Sequence, residues 1–95
     1  MPDYEVRPDA QAGDQAERAP LYRVILYHDG PHAARYVIRV LQEVFYFNQR
    51  GAEEITLKAL YKGAALCAIE ALEQAAGHAE KLTYARLTAT IEPEG

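Results

Sequence analysis

The sequence predicts an α+β domain with the element order strand, helix, helix, strand, helix, strand. Three observations lead to this prediction. A β-branched and aromatic run fills Leu21–Tyr27, apolar residues recur with a helical period between Pro31 and Tyr46, and apolar and polar residues alternate between Leu82 and Ile91. A length of 95 residues allows one domain and little more, and no internal repeat is visible.

The first strand, Leu21–Tyr27, stops at the turn signal formed by Asp29, Gly30 and Pro31. Both of its faces are largely apolar, which predicts a central strand covered by helices on one side. The next segment is predicted to be a helix with Pro31 in its first turn, where a missing N–H is harmless. Its buried stripe is predicted to contain Val37, Val40, Leu41, Val44 and Phe45.

A second helix is predicted from Asn48, a residue suited to the N-cap, to about Lys62. Gly63 follows as the left-handed residue that ends it. The side chains expected to face the core are Ile55, Ala59 and Leu60.

The last three elements are less regular. Ala64–Ile69 is short, apolar and uncharged, which favours a strand. An Ala-rich helix is predicted from Glu70 to about Glu80, weakened by about 1 kcal/mol at Gly77 relative to alanine. The alternating segment Leu82–Ile91 is predicted to be the final strand.

Residues 1–19 differ in composition from the rest of the chain. Five acidic residues alternate with proline, glycine and small residues, and no apolar period appears. Such a segment buries too little apolar surface to offset the entropy of ordering it. We therefore expect a flexible acidic N-terminal arm at 1–19 and a folded domain at 20–95.

The composition of the 95-residue chain also limits its function. A net charge of −4 disfavours binding to nucleic acid. The single cysteine, Cys67, cannot form a disulfide within the chain and is expected to be a buried small hydrophobe. The N-terminus lacks the features of a signal peptide, and no apolar stretch reaches the length of a membrane span, so a cytoplasmic protein is expected.

Three segments carry distinctive motifs, namely PLYRVILYHDG at 20–30, YVIRVLQEVF at 36–45, and the ungapped run AEEITLKALYKG at 52–63. Together they resemble the ClpS family of adaptors for Clp-type AAA+ proteases. Ala65–Ile69 resembles the family strand that holds a lone cysteine, and Leu87–Glu92 resembles its last strand. The resemblance implies a three-stranded antiparallel sheet packed against three helices, similar to the C-terminal domain of the ribosomal stalk protein.

The resemblance also implies a function without catalysis and without a cofactor. ClpS proteins dock on the N-terminal domain of a ClpA- or ClpC-type unfoldase. They also hold substrates that begin with a bulky apolar residue, the N-degrons of the N-end rule. The expected partners are therefore a Clp unfoldase and the N-terminal peptides of substrates.

The family's substrate pocket maps onto positions that have largely changed. The acceptors for the substrate's α-ammonium group correspond to His28, Asp29 and Leu60, and only Asp29 keeps the family's residue. A leucine accepts no hydrogen bond, and a protonated histidine repels a cation. N-degron recognition is therefore expected to be altered or lost. The remaining pocket positions that have changed are His32, Ala34 and Thr56.

The family's unfoldase-docking residues lie in the third helix. They correspond to Glu73, which is retained, and to His78, where the family has lysine. Lys81 lies one turn further on and is the nearest available lysine. The arm at 1–19 corresponds in position to the family's N-terminal extension, which takes part in substrate delivery.

Two alternatives remain open from the residues alone. His28, Asp29 and His32 form an H-D-x-x-H pattern that suits a divalent metal, although a helix-capping turn explains the same residues. The domain also fits an interaction module that has lost the pocket and binds an unrelated partner or a second copy. An exposed aromatic pair at Tyr46 and Phe47 is one candidate contact patch for such association.

Overall fold

The computed structural model describes residues 20–95, and the predicted arm at 1–19 lies outside the described residues. The observed elements are β1 (Leu21–Tyr27), α1 (Ala34–Phe45), α2 (Gln49–Lys62), β2 (Ala64–Ala71), α3 (Leu72–Tyr84) and β3 (Thr88–Pro93). This confirms the predicted element order. None of the helices within 20–95 is long and apolar enough to span a bilayer.

The three strands form one antiparallel sheet in the order β2-β1-β3. The predicted central position of β1 is therefore correct. Val24 and Leu26 on β1 are fully buried beneath the helices. The opposite face of β1 retains partial solvent exposure, as expected for a sheet with helices on one side.

A β-bulge interrupts the pairing of β1 with β2. Val24 pairs with Ala68 and Ile25 pairs with Leu66, which leaves Cys67 as the extra residue. The bulge breaks the alternation of β2, so Leu66 and Ile69 are both exposed although three positions separate them.

The core lies between the sheet and the helices. The buried face of α1 consists of Val37, Val40, Leu41 and Val44, as the helical period predicts, and Phe45 packs at its edge. Leu41 and Leu82 are fully buried and bring α1 and α3 into the same core.

Both ends of α1 are formed without a side-chain cap. The helix begins at Ala34, so the prediction of Pro31 in its first turn is wrong. Ala33 has extended backbone, and the chain bends at 30–31 before the helix can start. At its other end Tyr46 takes a left-handed conformation with φ of 61° and donates its N–H to the Gln42 carbonyl.

Helix α2 has the predicted cap and end but a different buried row. The Asn48 side chain accepts a 2.8 Å hydrogen bond from the Gly51 N–H, and Gly63 has a φ of 89°. Leu60, which was expected to face the core, is 43% exposed. Small residues allow close helix packing, and the buried row consists of Ala52, Thr56 and Ala59.

The prediction of a final strand from Leu82 is wrong at its start. Residues 82–84 belong to α3, because Leu82 lies two turns beyond Ala75 and both are fully buried on one helical face. The helix ends in a Schellman motif, in which the Leu87 N–H bonds to the Leu82 carbonyl and the Arg86 N–H bonds to the Thr83 carbonyl. Strand β3 then begins at Thr88.

Candidate functional site

The loop after β1 is held between the ends of two other elements. The His28 N–H donates to the Gly63 carbonyl at 3.1 Å, which fastens the loop to the end of α2. His32, further along the loop, lies against the turn between α3 and β3. The sequence positions 28–32 are thus fixed at the carboxyl end of β1, where the resemblance predicted a substrate pocket.

Two aromatic side chains, one from the loop and one from α1, contact the α3–β3 turn. The His32 Nε2 atom lies 2.9 Å from the Arg86 carbonyl oxygen, and the Tyr36 hydroxyl donates to the Ala85 carbonyl at 2.8 Å. The two rings stack with centroids 4.9 Å apart. Because a carbonyl oxygen only accepts, His32 must donate from Nε2, and this nitrogen is not available as an acceptor or metal ligand.

The turn that receives these bonds has an unusual backbone. Arg86 has a φ of 72°, a left-handed conformation that costs a non-glycine residue about 1 kcal/mol. The Schellman bonds and the contacts from His32 and Tyr36 hold Arg86 in this conformation. The turn therefore has a fixed position beside the loop.

A small cavity lies between the loop and the turn. Its volume is about 20 Å³, which is enough for one water molecule. The lining residues from the loop and from α1 and β1 are Leu26, Tyr27, His28, Asp29, Gly30, His32 and Val37, and those from the turn are Arg86, Leu87 and Thr88.

The structure gathers only part of the predicted substrate site. His28, Asp29 and His32 line the cavity, but Ala34, Thr56 and Leu60 do not. Ala34 is exposed at the start of α1, and Leu60 is largely exposed on α2. Thr56 is fully buried, and its hydroxyl is satisfied by a 2.8 Å bond to the Ala52 carbonyl.

Most lining residues of the cavity were not predicted as site residues, among them two from the turn. Arg86 and Leu87 were assigned to the final strand, which concealed the turn that brings them to the loop. The burial of Leu87 fits the predicted alternation with Ala89 and Ile91, but no sequence signal marked Arg86 as a left-handed residue.

The metal alternative receives no support from the described part of the chain. Within 20–95 no group of three or more histidine, cysteine, aspartate or glutamate side chains is placed to hold a metal ion. The Nε2 bond of His32 gives the reason, since it directs this ring toward the α3–β3 turn.

The predicted docking residues on α3 divide into two sets. Glu73, Gly77, Lys81 and Tyr84 follow the spacing of one helical face, and Glu73, Lys81 and Tyr84 are exposed. A shallow depression of about 340 Å³ lies on this face and is lined by Gly77, Glu80, Lys81 and Tyr84. Tyr84, which is 89% exposed, was not anticipated as part of this surface.

His78 points away from this face. Its Nδ1 atom lies 2.6 Å from the Glu70 carboxylate, and its ring lies 4.5 Å from the Phe45 ring. These contacts fasten α3 to β2 and to the end of α1. The Phe45 ring also stacks on Phe47, with centroids 5.2 Å apart. Phe47 is therefore half-buried, and of the candidate aromatic patch only Tyr46, which is 85% exposed, remains on the surface.

Cys67 lies in the core, as predicted. Burial raises the pKa of its thiol to about 12, and the nearby Glu70 carboxylate adds a smaller effect in the same direction. A thiol with this pKa is protonated at neutral pH, so it is a poor nucleophile.

Comparison with known proteins identifies the family to which this fold belongs. The family described as "ATP-dependent Clp protease adaptor protein ClpS" matches residues 17–90. The chain belongs to the ClpS family.

ClpS proteins of several bacteria are similar over most of the chain. The ATP-dependent Clp protease adapter protein ClpS of Gloeobacter violaceus is 37% identical over 81 residues, which cover 84% of this chain and 87% of that protein. The adapter protein ClpS 2 of Mesorhizobium japonicum is 30% identical, and the alignment covers 99% of both chains.

A solved ClpS structure has the same fold. The structure of Agrobacterium tumefaciens ClpS2 bound to L-phenylalaninamide superimposes with a TM-score of 0.76 at 26% identity, covering 81% of this chain and 100% of that one. This agreement confirms the predicted α+β fold, with its three-stranded antiparallel sheet and three helices.

Proposed function

We propose that this ClpS-family adaptor works in the cytoplasm without catalysis, docks on the N-terminal domain of a ClpA- or ClpC-type unfoldase, and delivers substrates with altered N-degron recognition. Family membership supports the adaptor role, since the matched relatives are Clp protease adapters. The single observation that carries the altered recognition is the size of the cavity beside the β1 loop.

At about 20 Å³ the cavity is large enough for one water molecule and too small for a leucine or phenylalanine side chain. The related ClpS2 was solved with L-phenylalaninamide, a molecule that combines an α-amino group with a bulky apolar side chain. In this chain, binding of such a group within the cavity requires the loop and the α3–β3 turn to separate. That separation breaks the bonds from His32 and Tyr36, each worth about 1 kcal/mol.

The hydrogen-bond acceptors at the site also favour weaker binding of an N-degron. A bound ammonium group needs oxygen or nitrogen acceptors, because an unpaired buried charge is costly. Asp29 supplies a carboxylate, but Leu60 supplies no acceptor, and His32 already uses Nε2 as a donor. We therefore propose weak binding that retains a dependence on Asp29.

Peptide binding tests the proposed recognition. Fluorescence anisotropy with peptides that begin with Leu, Phe or Tyr is expected to give dissociation constants above about 100 µM, or about −5.5 kcal/mol. The control peptides carry an acetylated N-terminus. Low-micromolar binding that disappears on acetylation would contradict the proposal.

The exposed face of α3 is the proposed docking surface for the unfoldase. It presents Glu73 and Lys81 beside the depression next to Tyr84, while His78 is engaged with Glu70 and contributes only indirectly. Opposite charges on one face select a partner that presents the complementary arrangement. His78 therefore positions α3 rather than contacting the partner.

Biolayer interferometry with the purified N-domain of the host's ClpA or ClpC tests this docking. Lys81→Glu and Tyr84→Ala are each expected to weaken binding by about fivefold or more. Arg50→Glu is the matched control, since Arg50 is 87% exposed and lies near the start of α2, where an acidic residue is tolerated. Equal affinities for all variants would refute the assigned surface.

A second candidate function is an interaction module with a partner unrelated to N-degrons. The water-sized cavity is the observation that favours it. If the N-domain forms no complex at about 100 µM while the protein remains folded, this second function replaces the first.

A further inference from the structure

A groove between α2 and β2 is separate from both surfaces described above. It has a volume of about 430 Å³ and is lined by Glu54, Ile55, Leu57, Lys58 and Leu66. None of these residues lines the cavity at the β1 loop or the depression on α3. An occupant of the groove therefore leaves both of those surfaces accessible.

The groove exposes apolar side chains on two neighbouring elements. Leu57 is 47% exposed and Leu66 is 45% exposed, and Ile69 further along β2 is 44% exposed. The bulge at Cys67 is the reason that Leu66 and Ile69 both face outward. Neighbouring apolar residues that remain exposed on a helix and a strand indicate a contact surface.

The two edges of the sheet differ in their protection. Strand β3 presents Thr88, Thr90, Glu92 and Pro93, which are polar residues or a residue that cannot donate to a new ladder. Strand β2 has no proline or lysine and no charged residue before Glu70. Its bulge limits continuous strand addition, so side-chain packing into the groove is the favoured mode of association.

The charges around the groove determine what fits it. Glu54 and Lys58 lie one helical turn apart and flank Leu57. When two copies of α2 pack antiparallel about a two-fold axis level with Thr56, Glu54 of each copy faces Lys58 of the other. Glu54 is available for this contact, because its existing link to Arg50 is 3.7 Å long and largely exposed.

We propose that this groove is a self-association surface, in which a second copy of the chain inserts Leu57 beside Leu66 and pairs Glu54 with Lys58. The arrangement is isologous, so each contact occurs twice. We expect a weak dimer with a dissociation constant on the order of 10 µM.

Sedimentation velocity from about 1 to 500 µM tests the dimer. The expected result is a concentration-dependent shift from the 10.6 kDa monomer toward twice that mass. Leu66→Lys is expected to abolish the shift across this range, and circular dichroism verifies its fold. A single 10.6 kDa species at every concentration overturns the proposal.

A charge exchange identifies the interface specifically. Glu54→Lys and Lys58→Glu each place like charges opposite one another and are expected to weaken the dimer about fivefold. The double variant Glu54→Lys with Lys58→Glu restores opposite charges and is expected to recover the original dissociation constant. A dimer that is unaffected by the single changes would overturn this groove as its interface. Unfoldase and peptide binding are measured separately on monomeric Leu66→Lys, so failure here leaves the proposed adaptor function intact.

Discussion

Alkaline pH is expected to destabilise this domain through one buried group, Cys67. The thiol has a pKa raised from 9.0 to about 12, chiefly because burial disfavours the charged thiolate. A backbone hydrogen bond involving Leu26 opposes this effect, and the Glu70 carboxylate adds to it. The perturbation is a change of buffer from pH 7.5 to pH 10, applied to the native chain and to Cys67→Ala.

The sign and size of the effect follow from proton linkage. The pKa of the thiol in the folded state lies above its unfolded value of 9.0. The free energy of unfolding is therefore unaffected by this group below pH 9.0 and falls as the pH rises from 9.0 toward 12. Within that window each pH unit lowers the free energy of unfolding by about 1.4 kcal/mol. At pH 10 the loss from this thiol is therefore about 1.4 kcal/mol, a large part of the stability of a small domain.

Urea denaturation at the two pH values measures this loss. All other ionisable groups are common to both proteins, so their contributions cancel when the two pH-dependent losses are subtracted. The native chain is expected to lose about 1.4 kcal/mol more than Cys67→Ala. Equal losses in the two proteins would refute the reasoning and would mean that the thiolate is tolerated in the folded state.

Three further predictions concern two glycines, the α3–β3 turn and the site. A Cβ added at Gly77 in α3 meets no atom within 4 Å, so Gly77→Ala is expected to raise the melting temperature by about 4–8 °C. Gly63 has a φ of 89°, so Gly63→Ala is expected to lower the melting temperature, and calorimetry that shows the same sign for both variants contradicts this reasoning. Tyr36→Phe removes the hydroxyl that donates to the α3–β3 turn, so the free energy of unfolding measured in urea is expected to fall by about 1 kcal/mol. An unchanged free energy of unfolding would mean that this hydrogen bond does not stabilise the domain. The double variant His28→Asn with Leu60→His restores the acceptor types that the family uses. Anisotropy is expected to show about tenfold stronger binding of Phe-initiated peptides. No gain in affinity would mean that cavity size alone limits recognition.

The sequence predicted best where local signals were strong. The β-branched run in β1 and the Asn48 and Gly63 signals of α2 gave bounds that match the structure to within a residue. A capping side chain and a left-handed glycine act through the adjacent backbone, so their effects can be deduced without knowledge of the fold.

Prediction failed where tertiary contacts override local preference. Residues 82–84 alternate like a strand, yet burial of Leu82 in the shared core keeps them helical. Leu60 looked like a core residue, but small side chains at Ala52 and Ala59 allow the close packing that turns it outward. In both cases the deciding partner is distant in sequence.

By itself the sequence determined the order of the elements, the central strand, the caps of α2 and the likeness to ClpS, because these depend on local patterns and on motif spacing. Only the tertiary structure decided how the site is built. The bond from His32 to the Arg86 carbonyl, the water-sized cavity and the outward Leu66 each depend on segments that meet only after folding. A hydrogen bond between residues 54 positions apart has no local signature, since its formation depends on the packing of every element between them.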